Sequence, residues 1–227
     1  MSTISPVMEA HTFEARDFIG GHFVLDFVNT MTGRDETPRD WLPDYSAYLA
    51  WLASSGLLPA LDLKPLAARA AEAPAAADRA LRDARRLREA LFGIFDALAH
   101  RASPGTADLT TLEHVWRRAV SGQRLVATAA GRVEFHDAPD TRGGTDLHLP
   151  TDRIALDAVK LLQAIPDGRL RMCAGPNCAW LFIDSSKTGR RKWCDMATCG
   201  NVAKARRHYH ATRHGAAGPA HDRDAAE

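Results

Sequence analysis

Cys173, Cys178, Cys194 and Cys199 are the only cysteines in a chain of 227 residues, and all four fall within a span of 27. Their spacing is Cys-x4-Cys, fifteen intervening residues, then Cys-x4-Cys again. Two close pairs joined by a short span bring four thiolates round one tetrahedral Zn2+ while closing only small loops. Four thiolates do not by themselves name the metal, and an iron–sulfur centre is the alternative metal reading. Two disulfides are the covalent alternative. The chain opens Met-Ser-Thr-Ile-Ser-Pro, without the basic start and apolar run of a secretory signal. A reducing cytosol is therefore expected, and with it one structural zinc per chain rather than disulfides. A metal held by four thiolates has no open position for water, so no hydrolysis and no enzyme is expected of it.

The segments between these cysteines must position them. Gly175-Pro176-Asn177 lies inside the first pair, where a tight knuckle calls on a glycine's tolerance of positive φ and a proline's fixed φ. Trp180-Leu181-Phe182-Ile183 has strand character and is ended by Asp184-Ser185-Ser186 and Gly189. From Gly200-Asn201 the pattern turns helical, with Val202, Ala205, Tyr209 and Thr212 on one stripe. Cys199 is expected at or just before the first turn, where unpaired amides and the helix dipole favour a thiolate. Trp180, Trp193 and Tyr209 are expected to form the small core of this module; exposed, they would stack on bases.

These residues resemble the CGNR-type zinc finger. The resemblance rests on Cys173, Cys178, Trp180, Phe182, Asp184, Ser186, Arg190-Arg191, Trp193-Cys194, Met196, Cys199-Gly200-Asn201 and Lys204. It implies a treble-clef-like zinc module in a transcription regulator. The chain departs from the pattern at Val202, which stands where the family carries an arginine. Ligation does not need that arginine, but whatever contact it makes in relatives is missing here. A second stretch, Gly20-Gly21-His22-Phe23-Val24-Leu25-Asp26-Phe27-Val28-Asn29-Thr30, resembles the start of the ABATE-type domain that precedes such fingers.

The net charge of +1 hides a division. Residues 1–168 carry 18 Lys/Arg against 23 Asp/Glu, residues 169–214 carry 10 against 2, and residues 215–227 carry 1 against 3. A compact module of charge +8 beside a body of −5 has the footprint of a nucleic-acid binder, phosphate being the usual partner of such a cluster. Arg190, Arg191, Lys192, Lys204, Arg206, Arg207 and Arg213 are the expected DNA contacts, worth a salt slope of roughly −6 if all engage. RNA is a variant of that reading. The alternative is a zinc-stabilised module for protein–protein interaction, its basic face meeting an acidic partner or the acidic domain of a sister chain.

In the rest of the chain, His22, Asp26, Asn29 and Thr30 share one face if their segment is a helix. They form either a small-molecule pocket or, more in keeping with how buried polar groups behave, a polar seam anchoring that helix. Helices are expected over 44–55 and 63–72, over 78–100 with Leu81, Ala84, Leu87, Leu91, Ile94, Phe95 and Leu98 on one face, over 108–121 and over 151–164. Arg82, Arg85, Arg86 and Glu89 on the opposite face of the longest are expected in solvent. A hairpin is expected at 124–128 and 132–136, and Pro166-Asp167-Gly168 as a boundary. No apolar run reaches the roughly 18–20 residues of a membrane helix.

The fold class is thus α+β: a mostly helical domain with a short β-hairpin over 1–168, possessing a sensing or dimerising role, then a zinc module over 169–214. A disordered tail is expected over 215–227.

Overall fold

The computed structural model describes residues 5–56, 63–129, 131–137, 146–206 and 209. The tail beyond 214, and Arg207 and Arg213 among the expected DNA contacts, lie outside the described residues. The mixed helical class stands. Helix α1 (Phe23–Asn29) is capped by His22, whose ring accepts from the Val24 amide, and α2 (Tyr45–Ser54) by Asp44, whose carboxylate accepts from Ala47. Such caps satisfy amides that a helix start leaves unpaired. Helix α3 (Lys64–Glu72) ends at Ala73, which is also the N-cap of α4 (Pro74–Ala99). The chain breaks at Ala73 and Pro74 opens α4 ahead of the expected start at 78: proline's fixed φ suits the first helical position, whose N–H is unpaired in any case. Helices α5 (Thr106–Ser121) and α6 (Leu149–Ala164) complete the body.

The apolar stripe of α4 runs through Ala80, Leu87, Leu91 and Phe95, all essentially inaccessible to solvent. It packs with Phe27, Tyr48, Trp51, Leu112, Ile154 and Ala158 into the main core. The other face of α4 departs from expectation. Three two-residue strands, β1 (Val7–Met8), β2 (Met31–Thr32) and β3 (Arg39–Asp40), form a small sheet in the order β1-β3-β2, β1 parallel and β2 antiparallel to β3. This sheet delivers Asp40 to Arg88 of α4, and both side chains are 1% exposed. The guanidinium donates to both Asp40 oxygens at 2.8 and 2.7 Å and to Thr30 Oγ1 at 3.1 Å. Arg85 donates to the Leu42 carbonyl, and Glu89 faces Arg34 and Arg88. Arg85 is thus tied down onto the body, while Arg82, Arg86 and Glu89 stay exposed as expected, Glu89 with its carboxylate against Arg34 and Arg88. Burial alone would raise the Asp40 pKa, but the Arg88 guanidinium holds it below the usual carboxylate range.

Strands β4 (Gln123–Ala127) and β5 (Val133–Asp137) pair antiparallel, Leu125 opposite Phe135. The last sheet is β6 (Leu170–Met172) with β7 (Leu181–Ile183), Arg171 opposite Phe182. Leu170 and Leu181 join the main core, so apolar packing runs on across Pro166-Asp167-Gly168. Among the described residues no helix is long and apolar enough to cross a membrane.

Candidate metal centre and its basic surface

Strand β6 leads into Cys173, and the knuckle returns through Cys178 to β7, locked by a bond from the Cys173 amide to the Trp180 carbonyl at 2.8 Å. The second pair comes from the far end of the module. Cys194 precedes Asp195, whose carboxylate accepts from the Thr198 amide at 2.9 Å and starts a π-helical turn, Met196–Gly200, continuing as helix 201–206. Cys199 therefore sits inside that first turn. The left-handed residues of the knuckle are Asn177 and Ala179, with φ of 55° and 54°. Gly175 is needed for a different reason than its φ: a Cβ there would stand 2.9 Å from the Cys199 sulfur and 3.2 Å from the Cys173 sulfur. Only a residue without a side chain lets the backbone close over the four sulfurs.

All four sulfurs lie within 4.8 Å of one another, with Cys178–Cys194 at 3.7 Å and Cys194–Cys199 at 3.6 Å. Sulfurs round a tetrahedral zinc at Zn–S of about 2.3 Å stand about 3.8 Å apart. No pair is bonded as a disulfide. The sulfur of Cys173 also accepts from the amides of Gly175 and Cys194, both at 3.3 Å, the arrangement that stabilises a thiolate. Bonds from the Cys178 and Cys194 thiols hold the Cys173 pKa far below that of an ordinary thiol, and the same contacts push those two upward. Sulfurs this close ionise together only beside a cation, which a divalent metal supplies.

A family model described as "CGNR zinc finger" matches residues 169–212, and one described as ABATE, "Putative stress-induced transcription regulator", matches residues 21–164. The chain belongs to the ABATE family. It carries the CGNR zinc finger after the ABATE domain, and the four clustered cysteines are the site of one structural zinc. No curated protein matches the chain.

The finger's charged residues divide into two groups. Arg191 stacks its guanidinium 4.4 Å over Phe182, donates to the Trp193 carbonyl at 2.9 Å and bonds the Cys194 carbonyl. Its expected phosphate contact is corrected accordingly: the guanidinium braces the loop into Cys194. Arg169 is spent on the carbonyls of Asp184 and Ser186, and Arg171 on that of Gly189. Asp184 is 1% exposed; burial would raise its pKa, but the Ser186 contacts and the Arg191 amide hold it low. Arg190, Lys192, Lys204 and Arg206 are exposed, as is Lys187, which the sequence reading passed over although it lies in the same basic run.

Trp180 and Phe182 form a small core with three of the cysteines, and Trp193, Trp41 and Ile19 pack against it. Tyr209 does not join them. It is 55% exposed, and Val202, on the helix 201–206, is 48% exposed, with no other described element over either.

The quartet on α1 shares a face, and each member is committed to protein. His22 caps α1, Asp26 accepts from the Gly20 amide at 2.7 Å, and Thr30 donates to the Phe27 carbonyl at 2.7 Å. Asn29 accepts from the Leu181 amide at 2.9 Å and donates to the Leu181 carbonyl at 3.0 Å. This corrects the ligand-pocket reading of His22, Asp26, Asn29 and Thr30. They are a polar seam, and what the sequence did not show is that the seam joins the ABATE domain to the finger.

Proposed function

We propose that this ABATE protein is a DNA-binding transcription regulator whose finger offers Arg190, Lys192, Lys204 and Arg206 to phosphates. The observation that carries the reading is the division among the finger's cations. Those facing inward are consumed by backbone carbonyls, whereas these four are exposed and have no ion-pair partner among the described residues. Exposed charge gathered on a zinc-rigidified surface gains most by displacing counterions from a polyanion. The zinc holds that surface in place and performs no chemistry, since its four thiolates leave no vacant position. The protein acts in a reducing compartment, where those thiols stay available to the metal.

The test is binding of the zinc-loaded chain to mixed duplex fragments across a salt series, beside a chelated sample. Four phosphate contacts give a slope of log K on log[salt] of about −3.6. Arg206→Glu should cut affinity at least fivefold at 0.1 M salt, and Arg191→Lys should act on zinc retention instead. Val202→Arg, restoring the charge that relatives carry on an exposed helical position, should steepen the slope by about one. No binding at low salt by a folded, zinc-loaded chain would overturn the proposal and favour a protein partner for the basic face.

A further inference from the structure

An open cleft of about 590 Å3 lies where residues 15–19 and Trp41 of the body approach the finger's knuckle and the turn that follows Cys194. That volume is in the range of small-molecule sites, and the position, between two differently built parts of a chain, is where such sites concentrate. Trp41 and Trp180 both line the cleft, their rings edge to face at 5.8 Å and 83°, with Ile19 beside them. The charged groups around this aromatic wall are mostly negative. Asp17 and Asp195 both line it. Asp17 is already held by the Glu14 amide at 2.8 Å and lies 2.9 Å from His11, and Asp195 caps the helix beyond Cys194. Three of the four cysteines line it as well, and four thiolates round a divalent zinc carry a net charge of −2. Arg16 is the cation among the described lining residues; its side chain is 72% exposed and 3.1 Å from Glu14.

Indole attracts cations most strongly among the aromatic side chains. The His11 ring, stacked at 3.8 Å, covers one face of Trp41 and Trp180 is 8% exposed, so the cleft offers what remains of the Trp41 ring. Carboxylates and a tetrathiolate zinc add to the same sign of field. An apolar wall favours a flat body on the same molecule. We propose that the cleft binds a small aromatic amine in its protonated form, the ring against Trp41, Trp180 and Ile19 and the ammonium toward Asp17 and Asp195. A neutral arene would forgo the field, and an aromatic carboxylate would oppose it. The site is distinct from the α1 quartet, each member of which bonds to protein, and from the exposed cations of the finger.

The test uses the full zinc-loaded chain and two probes with one ring system and opposite tails, naphthylethylamine and naphthylacetate, each followed by titration calorimetry. The amine is expected to bind one per chain and at least tenfold more tightly than the carboxylate. Trp41→Leu, which keeps an apolar side chain, should weaken the amine at least fivefold. Asp195→Ser, which preserves the helix cap, should weaken it at least threefold with zinc content unchanged. If Asp195→Ser loses zinc, Trp41→Leu decides. Equal or tighter binding of the carboxylate, no heat with millimolar amine, or wild-type binding by Trp41→Leu would each overturn the proposal. No DNA is present in the measurement, so its failure is separate from any failure of the regulator reading.

Discussion

The helical body and the zinc finger solve the same problem with different materials. In the body, an apolar cluster passes through Phe27, Trp51, Leu91, Phe95 and Ile154, with the Arg88–Asp40 pair at its edge. In the finger the buried cluster comprises Cys173, Cys178, Trp180, Phe182 and Cys194, three of the five being metal-binding thiols. Apolar burial stabilises in proportion to area, and a cluster that small supplies little of it. The finger replaces the missing area with coordination and with arginines turned onto its own carbonyls. Stability in the body is therefore spread over many contacts, whereas in the finger it is concentrated at one point.

Removing zinc should separate the two most sharply. By analogy with zinc-finger peptides the metal contributes about 10 kcal/mol or more. With a chelator, the amides of β6 and β7 should lose protection in hydrogen exchange while those of α4 and α6 keep most of theirs. Simultaneous loss in α4 would break the distinction, and the route would be Leu170 and Leu181, which sit in the body's core.

Within the body, Asp40→Ala leaves the buried Arg88 with only the exposed Glu89 carboxylate opposite it. A loss of about 3 kcal/mol is expected, the low end of the cost of breaking a buried pair. Urea denaturation with zinc retained would measure it, and a loss below 1 kcal/mol would show that the body leans less on this pair than its burial implies.

The seam responds to pH. Burial raises the Asp26 pKa from 3.8 to about 7, against the Gly20 amide, which lowers it. A carboxyl whose folded pKa is raised contributes its full stability below about pH 4, where it is neutral in both states, and loses it as pH climbs toward 7. The decline from pH 4 to 7 amounts to about 3 kcal/mol. Asp26→Asn should remove this component, so the variant should gain on the parent as pH rises. Parallel stability curves for the two would refute it.

The smallest effect belongs to Asn29. Asn29→Ala strands the Leu181 amide and carbonyl, a loss of about 2 kcal/mol. It should loosen β7 without releasing zinc, seen as faster exchange at Leu181 at constant metal content.

Much of this was legible beforehand, for a local reason. The stripe of α4, the start of α2 at 44, the hairpin and the four cysteines are all written at short spacing. Helix α4 starts at Pro74 and not at 78 because the proline takes the first helical position, which the apolar stripe beginning at Leu81 does not mark. Arg88 escaped because its partner is 48 residues away in a two-residue strand, too short to show alternation. Gly175 was recognised for its turn, yet its real constraint is the space needed by Cys199, which no local pattern displays. The exposure of Val202 and Tyr209 was hidden likewise, since an apolar stripe does not say what covers it.

The Asn29 side chain presents one donor and one acceptor to Leu181, as a peptide group would, across 152 residues of sequence. During synthesis, at about 5–20 residues per second, on the order of ten seconds or more separates the appearance of the two partners. For that interval α1 exists without its terminal bond, and the nascent body must stay soluble with the amide solvated. The join to the finger thus closes only after Leu181 has emerged. Premature termination anywhere before that point would release a body with its seam open, a ready substrate for proteolysis.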